Sequence, residues 1–127
     1  WQFPHVYVEP PTERRIQLIV HPETTGYERA AVVIASIVPG GTNGQHTHDV
    51  DEIMVVVGRG IGYVGDEATP IETDSVIVVP KGVPHECRNT SATETLKLYC
   101  LYVPPMEPRG PIANLVEKTR EFLRLRA

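Results

Sequence analysis

Apolar residues in this chain fall in short runs, and each run stops at proline, glycine or a small acidic turn. Ala31 to Val38 is β-branched and ends at Pro39-Gly40-Gly41. Glu52 to Val57 ends at Gly58-Arg59-Gly60, and Ile61 to Val64 runs into Gly65-Asp66-Glu67. Val76 to Val79 ends at Pro80-Lys81-Gly82, His85 to Asn89 resumes an extended chain, and Leu96 to Val103 stops at Pro104-Pro105. Runs of this length and spacing predict the strands of a sandwich or barrel. Thr69 to Glu72 contains Pro70, which cannot donate to a ladder, so this run is predicted at a sheet edge. Residues 1–29 read as a mixed, Pro-rich arm with one strand, Arg15 to Val20. The tail changes period. From Asn114, a predicted N-cap, Leu115, Val116, Thr119, Phe122 and Leu123 recur at helical spacing, with Glu117, Lys118, Arg120, Glu121 and Arg124 on the other face. A helix over about 114–125, packed on the outside of the barrel, is expected.

Strand parity sorts the side chains. Leu96, Leu98, Cys100 and Tyr102 share one face, while Lys97 marks the other as solvent-facing. Cys87 lies two residues after His85 and faces the same interior. Met54 and Val56 share the parity of Glu52 and should form an apolar wall beside it.

Composition narrows the class. The 127 residues suit one domain with one core, residues 1–127. Twelve bases and 16 acids give a net charge of −4, and the signs are interspersed. No basic face is available for nucleic acid or an anionic membrane, and no apolar run could span a bilayer. Trp1-Gln2-Phe3-Pro4 shows no signal-peptide pattern, so a cytoplasmic protein is expected. Two cysteines are too few for a secreted disulfide scaffold, and Cys87 and Cys100 are read as buried thiols, with a bridge between neighbouring strands as the alternative. His5 and His21 are read as solvated.

Three other histidines carry the candidate chemistry. His46 and His48 are two apart, so in an extended chain both point the same way. Glu52 keeps their parity, although a bend could intervene. His85 follows the stiff segment Pro80-Lys81-Gly82-Val83-Pro84. Three imidazoles and a carboxylate suit a borderline divalent ion, and the absence of thiolate argues against a closed structural zinc site. An ion preferring six ligands would keep two positions for water or substrate.

From Gly40 onward the chain resembles the cupins. Their first motif is matched by Gly40-Gly41-Thr42-Asn43-Gly44-Gln45-His46-Thr47-His48-Asp49-Val50-Asp51-Glu52, and the second half of their second motif by Pro80-Lys81-Gly82-Val83-Pro84-His85-Glu86-Cys87-Arg88-Asn89. The resemblance implies an all-β, jelly-roll-like barrel, the double-stranded β-helix, over about 31–103. It also implies metal ligands at His46, His48, Glu52 and His85. Two positions depart from the pattern. Arg59 stands where the first motif closes on glycine, with Gly58 and Gly60 on either side, which leaves Asp51 as a competitor of Glu52 for the metal. Asp74 stands where the second motif opens on glycine.

The resemblance implies one divalent transition metal, Mn, Fe, Ni or Zn, and a small-molecule substrate or ligand. It does not fix the function. The favoured reading is a metal-dependent isomerase, lyase or decarboxylase acting on an oxygen-rich substrate. The alternatives are an iron-dependent dioxygenase and a non-catalytic small-molecule or metal binder. Tyr102 is read as a hydrogen-bond donor to substrate, and Arg59 and Arg88 as cations that could meet an anionic one. A barrel this small is expected to pair as a homodimer through residues 1–20.

Overall fold

The computed structural model describes residues 2–126; Trp1, the first residue of the N-terminal pattern read above, and Ala127 lie outside the described residues. Nine strands, β1 (His5–Val8), β2 (Arg14–Val20), β3 (Ala31–Ile37), β4 (Asp51–Val57), β5 (Arg59–Val64), β6 (Glu67–Glu72), β7 (Val76–Val79), β8 (His85–Asn89) and β9 (Leu96–Val103), precede helix α1 (Leu115–Arg126). They form a six-stranded sheet, β1-β2-β3-β9-β4-β7, and a three-stranded sheet, β6-β5-β8. Every named pairing is antiparallel. The sheets face each other as a double-stranded β-helix, and the expected fold class holds.

Burial follows strand parity closely. On β9, Leu96, Leu98, Cys100 and Tyr102 are buried and Lys97 is not. On β4, Glu52, Met54 and Val56 point inward. The expected edge is real: β6, with Pro70, flanks only β5. β1 is not anticipated by the sequence reading, because Pro4, Pro10 and Pro11 mask a four-residue strand that pairs with β2. The helix forms where expected and buries Leu115 and Thr119, with its closest packing against β2.

The two departures from the motif pattern have local causes. Gly58 alone makes the β4–β5 turn at φ 113°, a conformation that favours glycine. Gly60 is needed two residues on because the Arg88 carbonyl of β8 occupies the space a Cβ would take. Arg59, between them, is exposed. Asp74 adopts φ 76°, a left-handed turn conformation that Asp and Asn tolerate better than other side chains.

One expectation is overturned. His21 is buried, not solvated. Its Nε2 lies 2.9 Å from the Met106 carbonyl, and its Nδ1 accepts the Glu23 N–H at 3.0 Å. A lone histidine in a loop carries no pattern that would announce this. The contact ties the end of β2 to the segment after β9.

Asn89, at the end of β8, is a second buried polar anchor. Its amide nitrogen donates toward the carbonyls of Ile37, Val38 and Glu94 at 3.1, 3.0 and 2.8 Å, and its Oδ1 accepts Ser91 N–H at 2.9 Å. Asn89→Asp would place an acceptor among three acceptors. It is expected to destabilise the fold by roughly 3 kcal/mol or more. Urea unfolding checks this, and an unchanged midpoint would rule it out.

Candidate metal centre

His46 and His48 do not lie in a named strand. They sit on the connection between β3 and β4, which runs beside β8 as an irregular extra strand. His46 and His85 exchange both backbone hydrogen bonds, each 3.0 Å, and Asn43 N–H donates to the Cys87 carbonyl at 3.3 Å. Gly82 N–H reaches the His48 carbonyl at 2.8 Å, so the turn before β8 fixes the second histidine as well. A bend at Asp49 and Val50 separates His48 from Glu52. Glu52 then enters β4 between Val79 of β7 and Tyr102 of β9.

This arrangement brings His46, His48, Glu52 and His85 together, with one ligand atom from each, all within 4.8 Å of one another. Glu52 and His85 form the buried floor at 2% exposure, while the His48 side chain is 24% exposed. His46 Nδ1 meets the Gly44 carbonyl at 2.7 Å, and His85 Nδ1 meets the Val83 carbonyl at 2.9 Å. Both rings therefore carry their Nδ1 proton outward and turn Nε2 toward the centre, the orientation that outer hydrogen bonds impose on metal-binding histidines.

The electrostatics are those of a cation site. Glu52 Oε1 lies 2.9 Å from His85 Nε2 and 3.3 Å from His48 Nε2. Burial alone would raise the Glu52 carboxyl pKa, but the adjacent His48 and His85 imidazoles outweigh it and hold the group down to about 2. For His85 burial acts to lower the pKa, and the Glu52 and Val83 hydrogen bonds turn the net shift upward. His46 is pushed down, chiefly by burial. His48 Nε2 is buried without a properly directed hydrogen bond. An unpartnered imidazole nitrogen beside a carboxylate and two more inward-facing nitrogens fits a divalent ion, and the four residues would supply an N₃O ligand set for it.

Asp51, the competing carboxylate, points elsewhere. It is exposed, and its Oδ1 accepts the Lys81 N–H at 2.8 Å, stapling the β7–β8 turn. Around the site, Tyr102 presents its ring to the edge of His48, with centroids 5.1 Å apart. Its phenol is held well above its ordinary pKa, first by burial and then by Cys100 and Glu52, so it keeps its proton. Cys87 and Cys100 are free and buried, and burial pushes the Cys87 thiol up to about 12. Both are therefore protonated wall residues with little nucleophilic character.

Arg59 and Arg88 do not face the site. Arg88 stacks over Tyr63 at 5.0 Å and donates to Glu86 at 2.9 Å on the outer surface. The cation that does lie on the inner side is Arg14. The sequence reading starts β2 at Arg15 and so overlooks it. Its signal is parity with Ile16 and Leu18.

A two-sheet antiparallel barrel whose three histidines and glutamate could hold a metal ion defines the class of small β-barrels to which this chain's site belongs. The chain belongs to the cupin family: the model described as "Cupin domain" matches residues 33–109. It is similar to SchB of Streptomyces halstedii, at 29% identity over 118 residues, 88% of this chain and 84% of SchB. Among solved structures, it is similar to a Thermotoga maritima protein described as a predicted oxalate decarboxylase, with a TM-score of 0.71 and 17% identity. That match covers 81% of this chain and 94% of the other. It is also similar to KdgF from Halomonas sp., with a TM-score of 0.65, 18% identity and coverage of 79% and 86%. At these identities the two structures support the fold alone.

Proposed function

We propose that the chain is a metal-dependent enzyme acting on a small oxygen-rich substrate, of the isomerase, lyase or decarboxylase type, with His46, His48, Glu52 and His85 as the ligands. The observation that carries this reading is the asymmetry of the site. Glu52 and His85 form a buried floor, whereas His46 and His48 are only partly buried, at the solvent side of the cluster. A closed structural site would enclose all its ligands. A divalent ion bound here would supply Lewis acidity to a substrate oxygen. The chain's own residues supply the rest. His46 and His85 are fixed in one tautomer, and Tyr102 holds a phenolic proton beside His48 that it can donate in a hydrogen bond. Met54 and Val56 keep the floor apolar.

The test is elemental analysis of the purified protein, paired with an oxygen-uptake screen. A bound ion with substrate turnover and no oxygen uptake is the expected result. Oxygen uptake with iron bound would replace this reading by a dioxygenase, and ligand binding without turnover by a binding protein.

A cytoplasmic setting is part of the same proposal, supported by the two free, buried cysteines. No helix among the described residues is long and apolar enough to cross a membrane. A homodimer is proposed as well. β1 and β7 are the free edges of the larger sheet. On its outer face, Val57, Val76, Val78 and Val103 are exposed. Beside β1 a groove of about 990 Å³ is bordered by Phe3, Tyr7, Gln17, Ile34 and Lys97. Covering such a face with a second copy removes apolar area and protects an edge. Light scattering at micromolar protein should give twice the chain mass, and a monomer would count against the dimer.

A further inference from the structure

The segment that carries His46 and His48 contains one residue more than the strand it lies against. Thr42 stands opposite Arg88 and His46 opposite His85, so four steps along this segment are matched by three along β8. Such a step is a β-bulge, which interrupts the ladder and re-aims a side chain. Three residues of β8 turn their backbone groups toward the segment. His85 exchanges both bonds with His46, and Asn89 N–H donates to the Gly41 carbonyl at 2.8 Å. Cys87 lies between them. Its carbonyl accepts Asn43 N–H at 3.3 Å, but its own N–H donates to a side chain, Asn43 Oδ1, at 2.8 Å.

In an unbroken antiparallel ladder, counted from the His46–His85 pair, Cys87 would face Gly44, and the Gly44 carbonyl would accept the Cys87 N–H. Here that carbonyl meets His46 Nδ1 instead, at 2.7 Å. Gly44 can turn this way because its φ is 77°, and Thr42 Oγ1 accepts its N–H at 2.9 Å. The Asn43 amide oxygen therefore stands where the ladder has lost an acceptor. Cys87 is 1% exposed, and a backbone N–H left unpaired beside the interior is unfavourable. Without the Asn43 side chain, the nearest replacement is the Gly44 carbonyl, and its return to the ladder would release the His46 ring.

We propose that Asn43 is a positioning residue of the metal centre: its side chain takes the place of Gly44 in the ladder, which frees the Gly44 carbonyl to hold His46 with Nε2 toward the other ligands. The assignment rests on the metal reading above for its effect on ion affinity. Its effect on the His46 ring is measurable without metal.

The experiment uses the full chain, with Co(II) as the probe ion, in wild type, Asn43→Ala and Asn43→Asp. Nitrogen NMR of the metal-free proteins, at a pH where the imidazoles are neutral, reads which ring nitrogen of His46 carries the proton. Calorimetry reads Co(II) affinity, and the visible absorption of the bound ion reads its ligand geometry. Wild type should hold the His46 proton on Nδ1. Asn43→Ala, which removes the acceptor, should show both tautomers, shifted Co(II) bands and about tenfold or weaker binding, the loss expected when an outer partner of a metal ligand is removed. Asn43→Asp keeps the oxygen and should restore both the tautomer and the affinity. Where circular dichroism shows that Asn43→Ala does not fold, Asn43→Gln, whose oxygen stands one methylene further out, takes its place with the same expectation. A lower thermal midpoint with unchanged tautomer and unchanged Co(II) affinity would make Asn43 structural only and overturn the assignment. So would an Asn43→Asp variant as impaired as Asn43→Ala. If wild type takes up no Co(II), the metal reading falls, and the tautomer alone decides Asn43: a change in Asn43→Ala upholds the assignment, and no change overturns it.

Discussion

Glu52→Gln is expected to lose most bound metal, while Asp51→Asn retains it. The two acids are adjacent on β4, so their side chains point to opposite faces. Glu52 is buried within 2.9 Å of His85 Nε2 and 3.3 Å of His48 Nε2, whereas Asp51 is exposed and caps the Lys81 N–H. Gln keeps the shape of Glu and one oxygen but removes the negative charge. The three imidazoles then have no anion to balance a divalent ion. Even partners outside the ligand shell of a metal contribute roughly 10- to 100-fold to its affinity, so loss of the only carboxylate should exceed about 100-fold. Asp51→Asn removes a surface charge and weakens one hydrogen bond at a turn, an effect expected within about 1 kcal/mol on stability. Elemental analysis of both variants decides. Equal metal content would place the carboxylate outside the ligand set and leave a three-histidine site, which favours the oxygen-dependent reading.

Metal affinity should fall as the solution is acidified, and His85 should set the onset, above its ordinary 6.5. Its pKa is raised above 6.5 because the Glu52 carboxylate favours the protonated ring. A proton and a metal ion compete for the same Nε2, so affinity is full above that pKa and declines about tenfold per pH unit below it. His46, held below 6.5 by burial, adds its own proton only at lower pH and steepens the decline. Glu52 stays ionised until about pH 2 and does not contribute in this range. The metal-free protein should show the opposite trend near neutrality. There the raised His85 pKa means that the ion pair with Glu52 stabilises the fold below 6.5 and is lost as pH rises through the folded value. Glu52's part of that stability is present above its ordinary 4.5 and disappears toward about 2. Thermal unfolding of loaded and stripped protein across pH 5 to 9 reads both slopes. Parallel curves, or an affinity that declines only near pH 4, would show that His85 is not the competing group.

Most of the barrel was legible in the order of residues because its strands alternate. β7, β8 and β9 fall where the apolar runs and their Pro and Gly stops place them. The inward set Leu96, Leu98, Cys100 and Tyr102 follows from a period of two that tertiary packing did not disturb. The four candidate ligands were legible for a different reason. His46, His48 and Glu52 are close in sequence, and His85 sits in a stiff Pro- and Gly-rich segment whose spacing is that of the second cupin motif.

The remainder depended on which segments meet in space. β1 was hidden because a four-residue strand among prolines has no periodic signal, and it exists through its pairing with β2. His21 is buried because residues 21 and 106, far apart in sequence, are brought together at the end of the sheet. Whether Asp51 or Glu52 faces the histidines turned on the bend at Asp49 and Val50, which local spacing could not count through. Short-range alternation is written in the sequence because the pleat repeats every two residues. The surroundings of a single charged or titratable side chain are set by strands distant in the chain, and only the folded barrel brings those strands together.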